Sequence, residues 1–166
     1  MKPSRISLIT DETAADALPM RFTVAAILIA IIGLLVASSV LDLMSTARTH
    51  EAQTEISKIV FNAEQMAVRG AGSVVTLEID IPNDVTVILG ALPKNRDEWP
   101  RDAENYYIQS GSKSSVYETD AAFSNIEVDD AVELSEGPHR LTLESVYNSD
   151  HGKLFVLVYE RYDDGS

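Results

Sequence analysis

The sequence predicts an α+β protein: a long N-terminal helix followed by a small antiparallel β-sheet or β-sandwich. Three observations carry this prediction. The run from Phe22 to Leu41 contains no charged residue. Neither glycine nor proline occurs between Asp42 and Gly70, where apolar residues recur mostly every three or four positions. From Ser73 onward the period changes to two, which is typical of strands.

The apolar run predicts a transmembrane helix over residues 21–42. A helix of this length covers roughly 30 Å, the thickness of the hydrocarbon core of a bilayer. The core helix of a soluble domain would show a polar face, and this run has none. The alternative is a cleaved secretory signal, for which Ala37-Ser38-Ser39 offers a weak processing site. Ahead of the predicted transmembrane helix, residues 1–20 are expected to be a short polar leader or a cytoplasmic tail.

The flanking basic residues predict the orientation of this helix. Lys2, Arg5 and Arg21 lie on its N-terminal side, and Arg48 and Lys58 lie on its C-terminal side. Lysine and arginine near the helix ends favour the cytoplasmic side. The balance favours a cytoplasmic N-terminus, a C-terminal domain outside the cell and a single pass through the cell membrane.

The apolar spacing of residues 43–70 predicts an amphipathic extension of the same helix. The extension should end at Arg69, because a basic residue suits the last helical turn and Gly70 suits the position after it. We expect its apolar face to pack on its own domain, on a neighbouring copy or on both. That face consists of Leu43, Ala47, Ile56, Ile59, Val60, Ala63 and Ala67.

Residues 71–166 predict a β-rich domain of seven or eight short strands. The clearest patterns are "SVVTLEIDI", "VTVILG", "YYIQS", "SSVYET", "HRLTLESVY" and "KLFVLVYERY", and "SNIEV" and "AVELSEG" are weaker. Two arrangements stay open: a two-layer sandwich with the helix as a free stalk, and a sheet on which residues 42–69 pack. Trp99, in the polar connection after the second strand, is expected to anchor that loop on the sheet.

Composition excludes several classes of function. The chain has 13 basic and 26 acidic residues, a net charge of −13, and the excess lies from Asp42 onward. Such a surface repels nucleic acid. The absence of cysteine excludes disulfides, thiolate metal sites and cysteine nucleophiles.

Chemical motifs are equally scarce. The histidines at positions 50, 139 and 151 match no metal or catalytic spacing, and no phosphate-binding glycine loop occurs. The stretches "NSDHG" and "VDD" are candidates for calcium, without the ligand spacing of an EF-hand loop. We therefore predict a protein that is not an enzyme and has no cofactor; no small-molecule substrate is evident.

One stripe of the apolar helix predicts helix–helix packing. Small residues allow helices to approach closely inside lipid, where packing replaces the hydrophobic effect as the driving force. The alternative is that alanine and glycine are simply common in membrane helices. The stripe, at positions i, i+4, i+7 and i+11, consists of Ala26, Ala30, Gly33 and Ala37.

This layout resembles that of archaeal type IV pilin-like and archaellin-like membrane-anchored proteins. The stretch "EISKIVFNAEQMAVRGAGSVVTLEIDIPNDV" is similar to their junction between helix and first strand, and "DETAADALPMRFTVAAILIAIIG" to their N-terminal region. The resemblance covers residues 11–90 loosely and the β-rich domain in general character only.

The resemblance implies a non-enzymatic subunit or accessory of a filament, with apolar helices bundled in the core and β heads facing outward. It implies membrane lipid and related subunits as partners. In the family a peptidase cuts after a basic residue followed by glycine or alanine, whereas here Phe22 follows Arg21 directly. Removal of the leader therefore stays open. The alternative function is a membrane-anchored binding or envelope module that keeps its N-terminal segment.

Overall fold

The computed structural model describes residues 12–160, and the backbone alone at residues 12–19, 41 and 42. These residues form one α-helix, α1 (Glu12–Arg69), eight β-strands and a short 3-10 helix (Arg96–Glu98). They fall into two compact units divided after Leu43. The strands are β1 (Val74–Ile81), β2 (Val85–Leu89), β3 (Asn105–Ser110), β4 (Lys113–Glu118), β5 (Ala122–Ser124), β6 (Val132–Leu134), β7 (Gly137–Asn148) and β8 (Lys153–Glu160).

The predicted leader is only partly covered by the structure. Residues 1–11 lie outside the described residues, and the backbone is already helical from Glu12. The helix therefore begins ahead of Phe22, with Pro19 inside it.

The first unit contains the apolar stretch of α1. Every side chain from Met20 to Val40 is exposed. The most apolar window has a mean hydropathy of 2.8 and none of its residues is buried, so the described part of the chain has one helix long and apolar enough to cross a membrane. The core helix of a soluble protein would be mostly buried. A contiguous exposed apolar surface of this kind is typical of sites that contact a membrane or another protein.

The second unit contains two four-stranded sheets. One sheet has the strand order β1-β7-β8-β5, and the other has the order β4-β3-β2-β6. All pairs are antiparallel except β5 with β8, which run parallel. The sequence-based prediction of an α+β protein is confirmed, with the β-strands in two mostly antiparallel sheets.

The two sheets share one apolar core. Alternate residues of each strand point inward, as the period of two predicts. The first sheet contributes residues such as Leu141 of β7 and Val156 of β8, and the second contributes Val87 of β2 and Ile108 of β3. All four side chains are at most 1% exposed.

The second half of α1 belongs to this same core. The fully buried helix residues are spaced by four, three, four and three, which keeps them on one face. They are Ala52, Ile56, Ile59, Ala63 and Met66. Residues 52–66 thus pack within the β-rich domain and do not form a free stalk.

Only part of the predicted apolar face is buried within this chain. Ile56, Ile59 and Ala63 are buried, and Val60 and Ala67 pack partly buried against the core. Leu43 and Ala47 are exposed, so the buried face begins at Ala52. The reason is that a helical stripe shows which residues share a face, whereas burial also requires a sheet opposite that face.

The strand bounds agree with the sequence pattern to within two residues except at β5 and β6. Of the predicted stretch 131–137, β6 covers only Val132–Leu134. Residues 161 and 162, the end of the last predicted strand, lie outside the described residues. The pattern predicted a strand over 124–128, but β5 ends at Ser124. Beyond it, Asn125 Oδ1 accepts hydrogen bonds from the amides of Asp129 and Asp130, at 3.1 and 3.4 Å. Val128 has φ of 59°, which a β-branched residue rarely adopts. This turn chemistry overrides the local strand preference of "NIEV".

Candidate functional site

The apolar helix surface, defined here as the side chains from Met20 to Val40, contains most of the exposed large apolar side chains of the described residues. Phe22, Ile29 and Leu34 are each more than 70% exposed. The stripe Ala26, Ala30, Gly33 and Ala37 lies within this surface, and all four residues are exposed. A neighbouring helix or lipid therefore has unobstructed access to the stripe.

Gly33 leaves open space at the centre of the stripe. A Cβ added there would meet no atom within 4 Å, apart from the helix's own neighbouring backbone. Gly33 is therefore not required by packing within this chain. Its helical backbone also needs no special conformation, so a glycine here costs helix stability without an internal benefit.

The junction between α1 and β1 is held to Ser145 by a buried hydroxyl and by two backbone hydrogen bonds, from the Gly72 amide at 2.8 Å and to the Ser73 carbonyl at 2.9 Å. Ser145, in β7, is 1% exposed. Its Oγ accepts a hydrogen bond from the Ser73 amide at 2.9 Å and donates to the Gly70 carbonyl at 2.9 Å. Gly70 has φ of 91° and its amide donates to the Met66 carbonyl at 3.0 Å. Glycine suits this position, and the hydroxyl completes the pairing of the turn.

The histidines occupy three unrelated positions. His139 Nε2 lies 2.7 Å from the Ser135 carbonyl oxygen, and its Nδ1 contacts Glu160 Oε1 at 2.5 Å. His151 packs edge-on against Trp99, with ring centroids 5.4 Å apart. His50 lines a groove described below. Among the described residues no three or more His, Cys, Asp or Glu side chains are arranged to hold a metal ion.

The two calcium candidates are turns with their own hydrogen bonds. In "NSDHG", Asn148 Oδ1 accepts from the amides of Asp150 and His151, at 2.8 and 3.1 Å. In the stretch that contains "VDD", Asn125 makes the equivalent bonds and also donates to Asp129 Oδ1 at 2.6 Å. The oxygen-rich composition of both stretches is thus accounted for by turn chemistry.

Trp99 lies against the outer face of the first sheet. Its ring centroid is 5.3 Å from that of Phe155 in β8, and its Nε1 donates to the Phe123 carbonyl of β5 at 3.4 Å. Trp99 joins a small cluster around Ala103 and Phe155. The long connection between β2 and β3 is therefore attached to the sheet at this tryptophan.

An acidic groove of about 500 Å³ lies beside the C-terminal part of α1 and the end of β4. Glu64 Oε1 accepts a hydrogen bond from Thr119 Oγ1 at 3.1 Å, and Lys153 Nζ lies 2.8 Å from Glu104 Oε1. Two further carboxylates, Glu118 and Asp120, line it. The arrangement is a solvated acidic surface, consistent with the net charge.

Tyr106 and Arg96, both among the described residues, have clearly shifted pKa values. Burial raises the pKa of the Tyr106 phenol, and nearby Tyr117 and Glu64 raise it further. The hydrogen bond to Glu133 raises the pKa of the Arg96 guanidinium, although burial opposes this. The causes of the two shifts are packing around Tyr106 and ion pairing of Arg96.

A hydroxyl-lined groove, the second surface of interest, runs between α1 and β4 and has a volume of about 290 Å³. Its helix side includes Thr49, His50 and Gln53, and its strand side includes Ser115 and Tyr117. Tyr117 stacks on Tyr106 with ring centroids 5.0 Å apart and an interplanar angle of 16°. No sequence pattern predicts this groove, because it depends on which strand lies beside α1.

The fold and these surfaces define an α+β protein whose two-sheet domain incorporates the end of a long, partly apolar helix. Comparison with protein-family models, with curated proteins and with solved structures yields no match. The function is therefore argued from the residues of this chain.

Proposed function

We propose that this chain is a non-enzymatic, membrane-anchored cell-surface protein, a pilin-like subunit or accessory of an archaeal type IV pilus-like filament. It assembles through its N-terminal helix. The observation that carries the proposal is the contrast along α1: residues 20–40 are apolar and exposed, whereas residues 52–66 form part of the core of the β domain.

The exposed half supports membrane insertion and assembly. An apolar helix is stable in lipid because all its backbone hydrogen bonds are internal. In a filament, the same surface would be covered by helices of other subunits. Both environments remove the apolar area from water, which no part of the described chain does.

The buried half supports a subunit in which helix and head are one structural piece. Because Ile56, Ile59 and Met66 are 0–1% exposed, the domain cannot release this part of α1 without losing part of its core.

The proposed localisation is a single pass through the cell membrane, with the N-terminus cytoplasmic and the C-terminal domain outside. It rests on the distribution of Lys2, Arg5 and Arg21 on one side of the apolar run. The negative charge of the domain supports an exposed, soluble head. The proposed partners are membrane lipid and further copies or related subunits.

Assembly is tested by replacing Gly33 with leucine in the full-length chain. A Cβ at Gly33 meets no atom within 4 Å apart from the helix's own neighbouring backbone, and the surrounding side chains are exposed, so the variant should fold normally. It should lower the yield of cross-linked oligomers at least several-fold, because a bulky side chain separates helices that pack through small residues. Ser39→Leu, on the opposite side of the helix by its 3.6-residue period, is the matched control.

Equal oligomer yields for wild type and both variants would remove the stripe as the interface. Membrane insertion is measured separately, by extraction of membranes with alkaline carbonate.

The intact mass of the protein from its native surface distinguishes the two forms of the proposal. A chain that starts near Arg21 or Phe22 supports a filament subunit, and a chain that keeps residues 1–20 supports a retained anchor with a binding or envelope role.

A further inference from the structure

The side chain of His139 connects the two sheets of the β domain. His139 belongs to β7 of the first sheet, and its Nε2 lies 2.7 Å from the carbonyl oxygen of Ser135. Ser135 directly follows β6 of the second sheet. The Nδ1 of His139 lies 2.5 Å from Oε1 of Glu160, at the end of β8. Because the His139 side chain is only 10% exposed, its ring is enclosed between two oxygen acceptors.

The two contacts together require a proton on each side of the ring. A neutral imidazole has one N–H and one unprotonated nitrogen, and only the imidazolium donates from both nitrogens. With a neutral ring, an unprotonated nitrogen would face either the Ser135 carbonyl or the Glu160 carboxylate, and neither group can donate. Placing the second proton on Glu160 leaves the count unchanged. Both contacts therefore persist only when His139 and Glu160 together hold one more proton than a neutral ring and a carboxylate.

The strand register places Glu160 on the same face of the first sheet as His139. His139 lies opposite Ile79 of β1, and Glu160 lies opposite Leu141 of β7. Ile79 and Leu141 are buried in the core, so all four positions belong to the inner face. Side chains alternate along a strand, so the other charged residues nearby on β1 and β7 belong to the outer face. These are Glu78, Asp80 and Arg140.

The remaining charged groups on neighbouring elements have their own partners or belong to other surfaces. Glu133 of β6 pairs with Arg96. Glu136, in the turn after β6, accepts a hydrogen bond from the Asp84 amide at 2.7 Å, and Asp84 pairs with Arg48 of α1. Glu51 of α1 lines a groove with Pro138. Among the described residues, Glu160 is therefore the carboxylate that responds most directly to the charge on His139.

We propose that His139 and Glu160 form a proton-dependent latch between the two sheets, closed when the ring is protonated and opened as the pH rises. The latch holds the turn after β6 to the first sheet. Among the described strands, β6 pairs with β2 alone and is three residues long, so opening the latch loosens this edge of the second sheet. The inference depends on neither membrane anchoring nor assembly and goes beyond the proposed function.

The direction of the pH effect follows from proton binding. The ring makes both contacts in the folded state and neither in the unfolded chain, so folding favours the protonated pair. The contribution of the latch to stability is then complete below about pH 6.5, where imidazole ordinarily titrates, and is lost at higher pH.

Glu160→Gln should remove the pH dependence and keep the latch. The amide that replaces the carboxylate can donate to Nδ1 of a neutral ring, while Nε2 donates to the Ser135 carbonyl. The melting temperature of the full-length chain in detergent micelles is followed by Trp99 fluorescence from about pH 5.5 to 8.5. Over this range the wild-type value should fall by about 3–6 °C more than that of Glu160→Gln, which corresponds to the loss of one charge-assisted hydrogen bond.

Two further variants separate the latch from general charge effects. His139→Phe removes both contacts, so its melting temperature at about pH 5.5 should be lower than that of wild type and should then change with pH as little as that of Glu160→Gln. Glu127→Gln removes the same negative charge at an exposed position and should keep the pH dependence of wild type. His50 and His151 titrate in every variant, so their contribution cancels in these differences.

Three results would overturn the latch. The first is a melting temperature that falls equally with pH in wild type and Glu160→Gln. The second is a wild-type pH dependence in His139→Phe, which assigns the effect to another group. The third is an equal loss of pH dependence in Glu127→Gln, which assigns it to repulsion among the many carboxylates of the domain. If His139→Phe does not fold, the comparison of Glu160→Gln with Glu127→Gln still decides.

Discussion

Gly90, the residue after β2, lies directly against the backbone of Phe123 in β5. A Cβ at Gly90 would be 2.7 Å from the Phe123 carbonyl oxygen. The Gly90 amide also donates to the Asn105 carbonyl at 2.8 Å, so its backbone cannot easily move away. Because β2 and β5 belong to different sheets, this contact joins the two layers.

Gly90→Ala should therefore destabilise the domain by about 2–4 kcal/mol, since it adds a clash to a φ of 93°. Gly137→Ala is the control, because Gly137 has φ of 112° but no atom within 4 Å of its added Cβ. That variant should cost about 1 kcal/mol from backbone strain alone. Urea unfolding of the full-length chain in detergent micelles, followed by fluorescence of the single tryptophan, Trp99, measures both. Equal losses of unfolding free energy in the two variants would mean that neighbouring atoms move and relieve the clash at residue 90.

Ile59→Ala should destabilise the β domain by about 2–5 kcal/mol, because it empties a fully buried position. Phe61→Ala, two residues along the same helix, removes a larger side chain that is 64% exposed and should cost about 0.5 kcal/mol or less. Trp99 fluorescence reports on the β domain and not on the apolar stretch. A small effect of Ile59→Ala on that signal would contradict the shared core of helix and sheets.

Removal of the Ser145 hydroxyl should lower the free energy of unfolding, whereas removal of the Thr142 hydroxyl, in the same strand, should not. Ser145→Ala should cost about 1–3 kcal/mol, because the Ser73 amide loses its acceptor. Thr142 Oγ1, by contrast, is buried and makes no hydrogen bond within the described part of the chain. Thr142→Val should therefore be neutral or stabilising. Thermal melting of both variants beside wild type tests the pair, and a stabilising Ser145→Ala would exclude its role at the junction.

The raised pKa of Tyr106 predicts a loss of stability at high pH. The folded state holds the phenolic proton more tightly than the unfolded state, whose pKa is about 10. The contribution is complete below that value and disappears as pH rises through the folded pKa. From about pH 9.5 upward, the melting temperature of wild type should fall more steeply than that of Tyr106→Phe. Tyr147→Phe, at a 59% exposed position, should follow wild type.

Much of the architecture follows from local pattern. The change of period at Ser73, the helix end at Arg69 and Gly70, and the hairpin around Gly111 depend on neighbouring residues, so they are legible in the sequence. The misplaced strand at 124–128 also has a local cause, because the side-chain bonds of Asn125 compete with strand pairing. Hydropathy alone was sufficient to identify the apolar stretch.

Contacts between distant segments could not be read in this way. Ala52 and Met66 continue the helical spacing of Ile56, Ile59 and Ala63, so the spacing could have predicted all five buried residues. It could not have predicted the residue at which burial begins. The two sheets end that face at Ala52 and leave Ala47 exposed. The hydroxyl-lined groove, the Ser145 bridge and the Gly90–Phe123 contact each join residues far apart in the chain. Periodicity reports which residues share a face of an element, whereas the partner opposite that face is chosen by packing of the whole domain.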